Sequence, residues 1–466
     1  MNKQKYLIRN VGILTISNFA SKVLVFLLVP LYTSVLSTGE YGTADLLTST
    51  ISIFTPLLTL NIVDAVMRFT MDEKYEKQEV FLIGERYTFI GIAIVLFLLL
   101  MNHFCQFSHV IKKYEAFILG SYSLGTLNNL LTQFAKGLEK IKQMAIAGVI
   151  GTFSTVLLNI LFLLVLNMGL KGYLLTMVVS ALLQFIYLFF SIGVYKYQKI
   201  SKISAKYKTE MLMYCVPLLA TTIGWWINSA SDKYVVTFFL GMSANGILSV
   251  AYKIPQIINT LQSIFSQAWQ ISAIKEYGEE DTAVFYGKTF STINLLMVFV
   301  CSALIILTRP MAYILYAKEF YNAWKYVPFL LISSVFNSAS GLLGPILAAK
   351  KDSKAMMRSA IVGAGANIIL NILLVYFIGI QGATIATMVC SYIIYSVRRN
   401  AVGTDIKIFG YSCIWITWVM LVVQAMVEIY LKVYWIELLI IFGILILNYK
   451  YIKVLLNQIL KLIKLR

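Results

Sequence analysis

The sequence is written in long apolar runs. Gln143 to Leu170, Gly172 to Tyr195, Tyr326 to Ala349 and Ser359 to Val397 each pass without one Asp, Glu, Lys or Arg. A helix rises about 1.5 Å per residue, so about 20 residues cross a hydrocarbon core of about 30 Å. Each run is long enough to span a bilayer, and the last is long enough to span it twice. A membrane β-barrel would alternate polar and apolar residues in segments of about ten, whereas these runs are continuous. The pattern predicts helices over 10–31, 45–70, 81–102, 114–134, 144–167, 169–194, 211–240, 246–272, 289–309, 325–348, 355–378, 380–398, 411–431 and 433–452. The expected fold class is an all-α integral membrane protein of about 14 transmembrane helices.

Composition agrees with that reading. Of 466 residues, 59% are hydrophobic and 13% charged, against about 25% charged in soluble domains. The net charge of +18 raises the question of nucleic acid, and the distribution of the charge answers it. With the N-terminus inside, 28 of the 39 lysines and arginines fall on the inner side, and only Lys112, Lys113, Lys171, Arg309, Lys318, Lys325 and Lys432 on the outer. Such a bias is the positive-inside rule. It predicts a multi-pass membrane protein with both termini cytoplasmic, and no nucleic-acid partner. Met1 to Asn10 is basic, but the apolar stretch behind it contains Lys22 and lacks a small-residue cleavage site, so it reads as the first spanning helix and not as a removed signal peptide. The five cysteines are scattered, with no CxxC; the two histidines, His103 and His109, share one loop; no Walker A pattern occurs. Neither a metal, nor a catalytic base, nor direct use of ATP is expected.

Two internal matches indicate duplication. Leu36 to Leu46 (LSTGEYGTADL) aligns with Leu240 to Val250 (LGMSANGILSV), and Asn159-Ile160-Leu161 followed by Gly169-Leu-Lys-Gly172 aligns with Asn371-Ile372-Leu373 followed by Gly379-Ile-Gln-Gly382. The separation is the length of six helices, an even number, so the copies are parallel and related by an axis along the membrane normal. The expected organisation is an N-terminal lobe over 1–200 (helices 1–6), a C-terminal lobe over 201–404 (helices 7–12), and helices 13–14 with a basic cytoplasmic tail over 405–466.

Ionisable groups inside spans are expensive unless they face water or a partner. Four cations stand there: Lys22, Arg68, Lys233 and Lys253. Lys22 is about ten residues from either end of its helix, too deep to snorkel, with Asn18 one turn earlier on the same face. Asp64 precedes Arg68 by four residues, the spacing of a helical ion pair. Lys233 follows Asp232, and Lys253 stands just before Pro255, which removes a backbone hydrogen bond. Three acids, Asp45, Asp64 and Asp232, accompany the four bases as partners or as carriers of a coupling ion. A slightly positive cavity suits a phosphate group, and mobile lysines suit an anion that must be released. Trp225, Trp226 and Trp269 are candidates for stacking on sugar rings.

Asn18 to Gly42 (NFASKVLVFLLVPLYTSVLSTGEYG), Ser229 to Gly241 (SASDKYVVTFFLG) and Gly344 to Thr387 resemble the Wzx-type polysaccharide flippases of O-antigen and capsule synthesis, in the superfamily that also holds multidrug and toxin extrusion exporters and lipid II flippases. The resemblance implies two pseudo-symmetric six-helix lobes in a V that rock by alternating access, plus a C-terminal helix pair. It implies a non-enzymatic flippase for undecaprenyl-diphosphate-linked oligosaccharide, driven by a proton or sodium gradient, with a polysaccharide polymerase and a chain-length regulator as further partners. Lys22 and Lys253 match the family's cavity cations by position, and Arg68 and Lys233 by the contexts VMRF and SDKY. A lipid II flippase or a cation-coupled multidrug exporter is the alternative. Lipid II flippases carry arginines early in helix 1, where this chain has Lys22 alone.

Overall fold

The computed structural model describes residues 22–198, 204–408 and 410–449. Among these residues every regular element is a helix. In the first half of the chain these are α1 Val29–Val35, α2 Thr38–Leu58, α3 Ile62–Thr70, α4 Lys77–Cys105, α5 His109–Gly137, α6 Ile141–Asn159 (continued by a π-turn, Ile160–Val165), α7 Gly169–Ile192 and α8 Ala205–Leu240. There follow α9 Met242–Ala251, α10 Gln256–Lys275, α11 Thr282–Ile306, α12 Thr308–Leu315, a 3-10 segment Lys318–Tyr326, α13 Val327–Ala349, α14 Ser353–Ile378, α15 Ile380–Val402, α16 Tyr411–Met426 with a π-turn Val427–Leu431, and α17 Tyr434–Leu447.

Nine helices among the described residues are long and apolar enough to cross a membrane, or ten if α2 and α3 are one bent span. Lys22–Val35, Met242–Ala251 and Tyr434–Leu447 are shorter apolar helices. Most of the predicted first helix lies outside the described residues. Two predicted spans are broken, each near a proline. The first bends by 59° between α2 and α3. Pro56 removes an N–H from the ladder there, and Leu60 and Asn61 adopt φ of 51° and 54°, a conformation that Asn tolerates. The second is interrupted between Ala251 and Gln256, where Pro255 stands. Residues read as an outer loop, 309–325, form α12 and the 3-10 segment instead.

The chain divides into two compact units, Met1–Trp226 and Ile227–Arg466, with the boundary inside α8. Lipid tails are as apolar as leucine, so helices associate through close packing and hydrogen bonds more than through hydrophobic expulsion. In the first unit Ile62, Val66, Phe81, Leu130, Phe134 and Leu188 form the core, with the Phe81 and Phe134 rings 4.7 Å apart. Gly84 lets α4 approach Val66 and Leu130. In contrast α6 shows its Val149, Phe153 and Leu157 outward, as expected of a lipid-facing helix. The second unit is built around α13, most of whose residues are buried, against α10, α11, α15 and α16. α14 pairs with α15.

Candidate functional site

In the first unit the predicted residues are spread along the chain's opening helices. Lys22 begins the helix Lys22–Val35 and is exposed; Asn18 lies outside the described residues. Asp45 is half-buried in α2. The expected Asp64–Arg68 pairing gives way to a local arrangement, in which Asn61 Nδ2 donates to Asp64 Oδ2 at 2.7 Å. Asp64 stands in the first turn of α3 and Arg68, exposed, in the last. An acid at the positive end of a helix and a base at the negative end both favour the helix dipole, which gives this pair a structural reason to exist in so short a helix. Beside Asp45, in the neighbouring turn of α2, Tyr41 belongs to an aromatic knot with Tyr32 and Tyr173, whose closest centroids are 4.9 Å apart. Asn159 Nδ2 donates to Tyr32 Oη at 3.1 Å. A cavity of about 620 Å³ opens at the start of α5 and α7, lined by Lys113 and Lys171, with Glu40, Tyr114, Phe117 and Leu174.

The second unit gathers its polar groups more tightly. Asp232 in α8 is 2% exposed; it accepts a hydrogen bond from the Tyr252 hydroxyl and one from the Lys233 backbone N–H at 2.9 Å. Tyr252 belongs to the break between α9 and α10, and Lys253 is the next residue. The Asp232–Tyr252 bond thus draws the backbone of both predicted lysines together, each one residue beyond a partner. The break is itself pinned: the Lys253 N–H donates to Val250 O at 2.9 Å, and Tyr316 Oη donates to the same carbonyl at 3.0 Å. Farther along, Ser231 Oγ donates to Asn367 Oδ1, and Asn371 Nδ2 donates to the Asn367 carbonyl and Oδ1 at 3.0 Å each. Arg398, 4% exposed, donates Nε to Ser359 Oγ at 3.0 Å and Nη1 to Ser340 O at 3.1 Å. A buried polar group must be satisfied in this way or cost stability, so the stripe is fixed in position.

The sequence reading missed several of these groups. Arg398 stands at the very end of the predicted helix 380–398, where a base reads as interfacial; α15 runs on to Val402 and buries it. Tyr252 gives no signal in a chain with 29 tyrosines. Glu428 and Glu437 are both buried inside predicted spans, where an acid is as telling as a base. Two tryptophans proposed for sugar stacking have structural work. Trp269, 3% exposed, donates to Leu342 O at 2.8 Å and packs on Phe265 and Tyr286, while Trp226 Nε1 donates to Ser49 O and Ser52 Oγ, both at 3.1 Å. Trp225 is 44% exposed.

Residues 7–270 match the model of a family described as polysaccharide biosynthesis proteins. No curated protein matches significantly. Among solved structures, the chain is similar to the lipid II flippase MurJ in an inward closed conformation, at 15% identity and a TM-score of 0.70, over 95% of this chain and 99% of that one. It is also similar to an inward-facing multidrug resistance MATE family transporter of the MOP superfamily, at 13% identity and a TM-score of 0.60, over 82% and 95%. A third is a MOP superfamily transporter from Pyrococcus furiosus, described by the reverse polarity of its binding pocket, at 14% identity and a TM-score of 0.60, over 85% and 96%. At such identities the likeness establishes the fold: this is a membrane protein with the architecture of that superfamily.

Proposed function

This chain belongs to the polysaccharide biosynthesis protein family, and from that premise we propose that it is a flippase, not an enzyme. Its cargo in this reading is an undecaprenyl-diphosphate-linked oligosaccharide, moved from the inner to the outer leaflet of a bacterial cytoplasmic membrane and coupled to a proton or sodium gradient. The observation that carries the proposal is the conjunction of that family match with a fold shared, over nearly the whole of both chains, with a lipid II flippase. The polar residues support it. Lys22 and Arg68 in the first unit and Lys233 and Lys253 in the second are cations in sequence that otherwise excludes charge, and a phosphate group is a ligand that such cations attract. Ammonium groups on flexible stems bind phosphate as point charges and release it more readily than a bidentate arginine fork. The polymerase and chain-length regulator of a polysaccharide pathway are the partners this function calls for.

Complementation tests the proposal. Expressed in a strain whose lipid-linked polysaccharide flippase has been deleted, the protein should restore surface polymer and clear the undecaprenyl-linked units that accumulate inside. A well-inserted protein that leaves both unchanged across several sugar types, and that protects cells from cationic dyes, would replace the flippase with a drug exporter.

A further inference from the structure

Apart from the predicted cations, the second unit holds a buried cluster of one base and two acids. Arg309, in the first turn of α12, grips Glu428 with both arms: Nε donates to Oε1 at 2.8 Å and Nη2 to Oε2 at 2.7 Å. A second carboxylate, Glu437 in the first turns of α17, has its Oε1 3.9 Å from the same Nη2. Both glutamate side chains are fully buried and that of Arg309 is 16% exposed. Rings close the cluster, with the guanidinium 4.5 Å from the Tyr434 centroid and 5.7 Å from that of Trp324.

Arg309 neutralises one carboxylate, and its bidentate grip is spent on Glu428. Neither oxygen of Glu437 receives a hydrogen bond, although Glu428 and Glu437 both approach the same Arg309 nitrogen, at 2.7 and 3.9 Å. Two carboxylates cannot hydrogen-bond to each other, because each is an acceptor only; a single proton between them supplies the missing donor. The start of α17 favours a negative charge there, but that return is several-fold smaller than the cost of holding an unpaired ion out of water beside another of the same sign. The remaining titratable groups on surrounding elements do not alter the balance. Lys432 sits over the Trp324 ring, 5.7 Å from its centroid; Tyr434 faces Arg309; Lys318, Glu319, Lys325 and Tyr326 belong to the 3-10 segment; α11 contributes Cys301, with Tyr286 and Lys288 towards its other end; α16 carries Tyr411 and Cys413 near its start.

We propose that Glu428 and Glu437 form a proton-binding site, one proton shared across the carboxyl pair beside Arg309, that latches the C-terminal helices α16 and α17 to α12. With its proton the cluster is neutral and the two acids attract. Without it, a net negative charge stands between apolar helices, and repulsion between the carboxylates loosens the start of α17. The site binds a proton whatever cargo the protein carries.

Infrared difference spectroscopy on the full chain in lipid nanodiscs reads this directly, independently of transport, through the carbonyl band of a protonated, water-excluded carboxyl group. The expected band is present at neutral pH and bleaches under alkaline conditions. It is lost in Glu437→Gln, which mimics the neutral acid and keeps the fold. It is also lost in Glu428→Gln, because Arg309 then takes Glu437 as its ionised partner. Absence of the band from the unsubstituted protein, or its survival in either variant, would overturn the proposal.

Discussion

Asn159 to Gly172 in the first unit and Asn371 to Gly382 in the second align by sequence, and the structure gives the two stretches matching duties. Each asparagine is buried and turns its amide back to the carbonyl four residues earlier, Asn159 to Thr155 at 2.7 Å and Asn371 to Asn367 at 3.0 Å. Gly169 and Gly379 both take positive φ, 53° and 63°, at the turn into the next helix. Gly172 and Gly382 then let that helix pass close to the one before it. The difference lies in what surrounds the matched positions. Asn159 reaches the tyrosine knot through Tyr32, whereas Asn371 joins a stripe of small polar side chains through Asn367 and Ser231. A shared backbone plan thus carries aromatic packing in one unit and a hydrogen-bonded polar stripe in the other, which teaches that the scaffold can be repeated while the chemistry diverges.

The largest expected effect tests whether the units nevertheless contribute equally to function. Lys22→Ala removes a cation from the first unit and Lys253→Ala one from the second; each should abolish polymer export in the complementation assay while the protein inserts at normal abundance. Full export by either variant would confine the function to the other unit. The next effect is on stability. A side chain at position 382 would collide with the Leu374 backbone carbonyl, which cannot move aside, whereas at 172 the nearest atoms are the Met168 Cβ at 2.8 Å and the Phe162 Cβ and carbonyl at 3.0 and 3.1 Å. Overpacking costs about 1–3 kcal/mol and occasionally more. Gly382→Val should therefore reach about 3 kcal/mol or prevent insertion, and Gly172→Val about 1–2 kcal/mol, measured as melting temperatures in detergent. Equal losses would mean that the two approaches are equally tight.

The scaffold was legible because a membrane span writes itself as an uninterrupted apolar run; the breaks near Pro56 and Pro255 were not, since the helix Val327–Ala349 continues through Pro345. The repeat was legible in Asn159, Gly169 and their counterparts, since a buried back-bonding amide and a left-handed turn each demand a particular residue type. Less of the candidate site could be read. Asp232 and Lys253 stand out as charges in apolar sequence, but Tyr252, which joins them, is one tyrosine among many, and no pattern tells a hydroxyl that bonds an acid from one at a lipid interface. Trp269 and Trp226 spend their N–H groups on neighbouring helices, because indole nitrogens serve packed backbone as well as they serve ligands. Glu428 and Glu437 are legible by the same rule as the lysines and Asp45, Asp64 and Asp232, since a charge inside an apolar run is expensive whatever its sign.

The smallest expected effect separates the units at two matched turns. Lys140, in the turn between α5 and α6, donates Nζ to the carbonyl of Ile192, the last residue of α7, at 2.8 Å. Lys350, in the corresponding turn between α13 and α14, donates Nζ to Asp405 Oδ2, just past α15, also at 2.8 Å. Each lysine ties one turn of its unit to the end of a later helix, but one acceptor carries the partial charge of a helix C-terminus and the other is a full carboxylate. Burial, and then the charge of Lys196, lower the Lys140 ammonium from the ordinary lysine value, while the hydrogen bond and charge of Asp405 raise that of Lys350. Linkage gives these shifts opposite signs. Between the lowered Lys140 value and the ordinary one the folded state binds fewer protons, so stability rises with pH. The Lys350 contribution is complete below the ordinary value and is lost as pH climbs through the raised one. Both are slight, the Lys350 pair being exposed and screened, so the direct observable is the order of titration. In NMR spectra of 13C-methylated lysines, assigned with Lys140→Arg and Lys350→Arg, Lys140 should lose its proton before Lys350. The reverse order would mean that Asp405 does not hold Lys350 in the membrane-embedded protein, and the correspondence between the two units would then stop at their apolar and glycine positions.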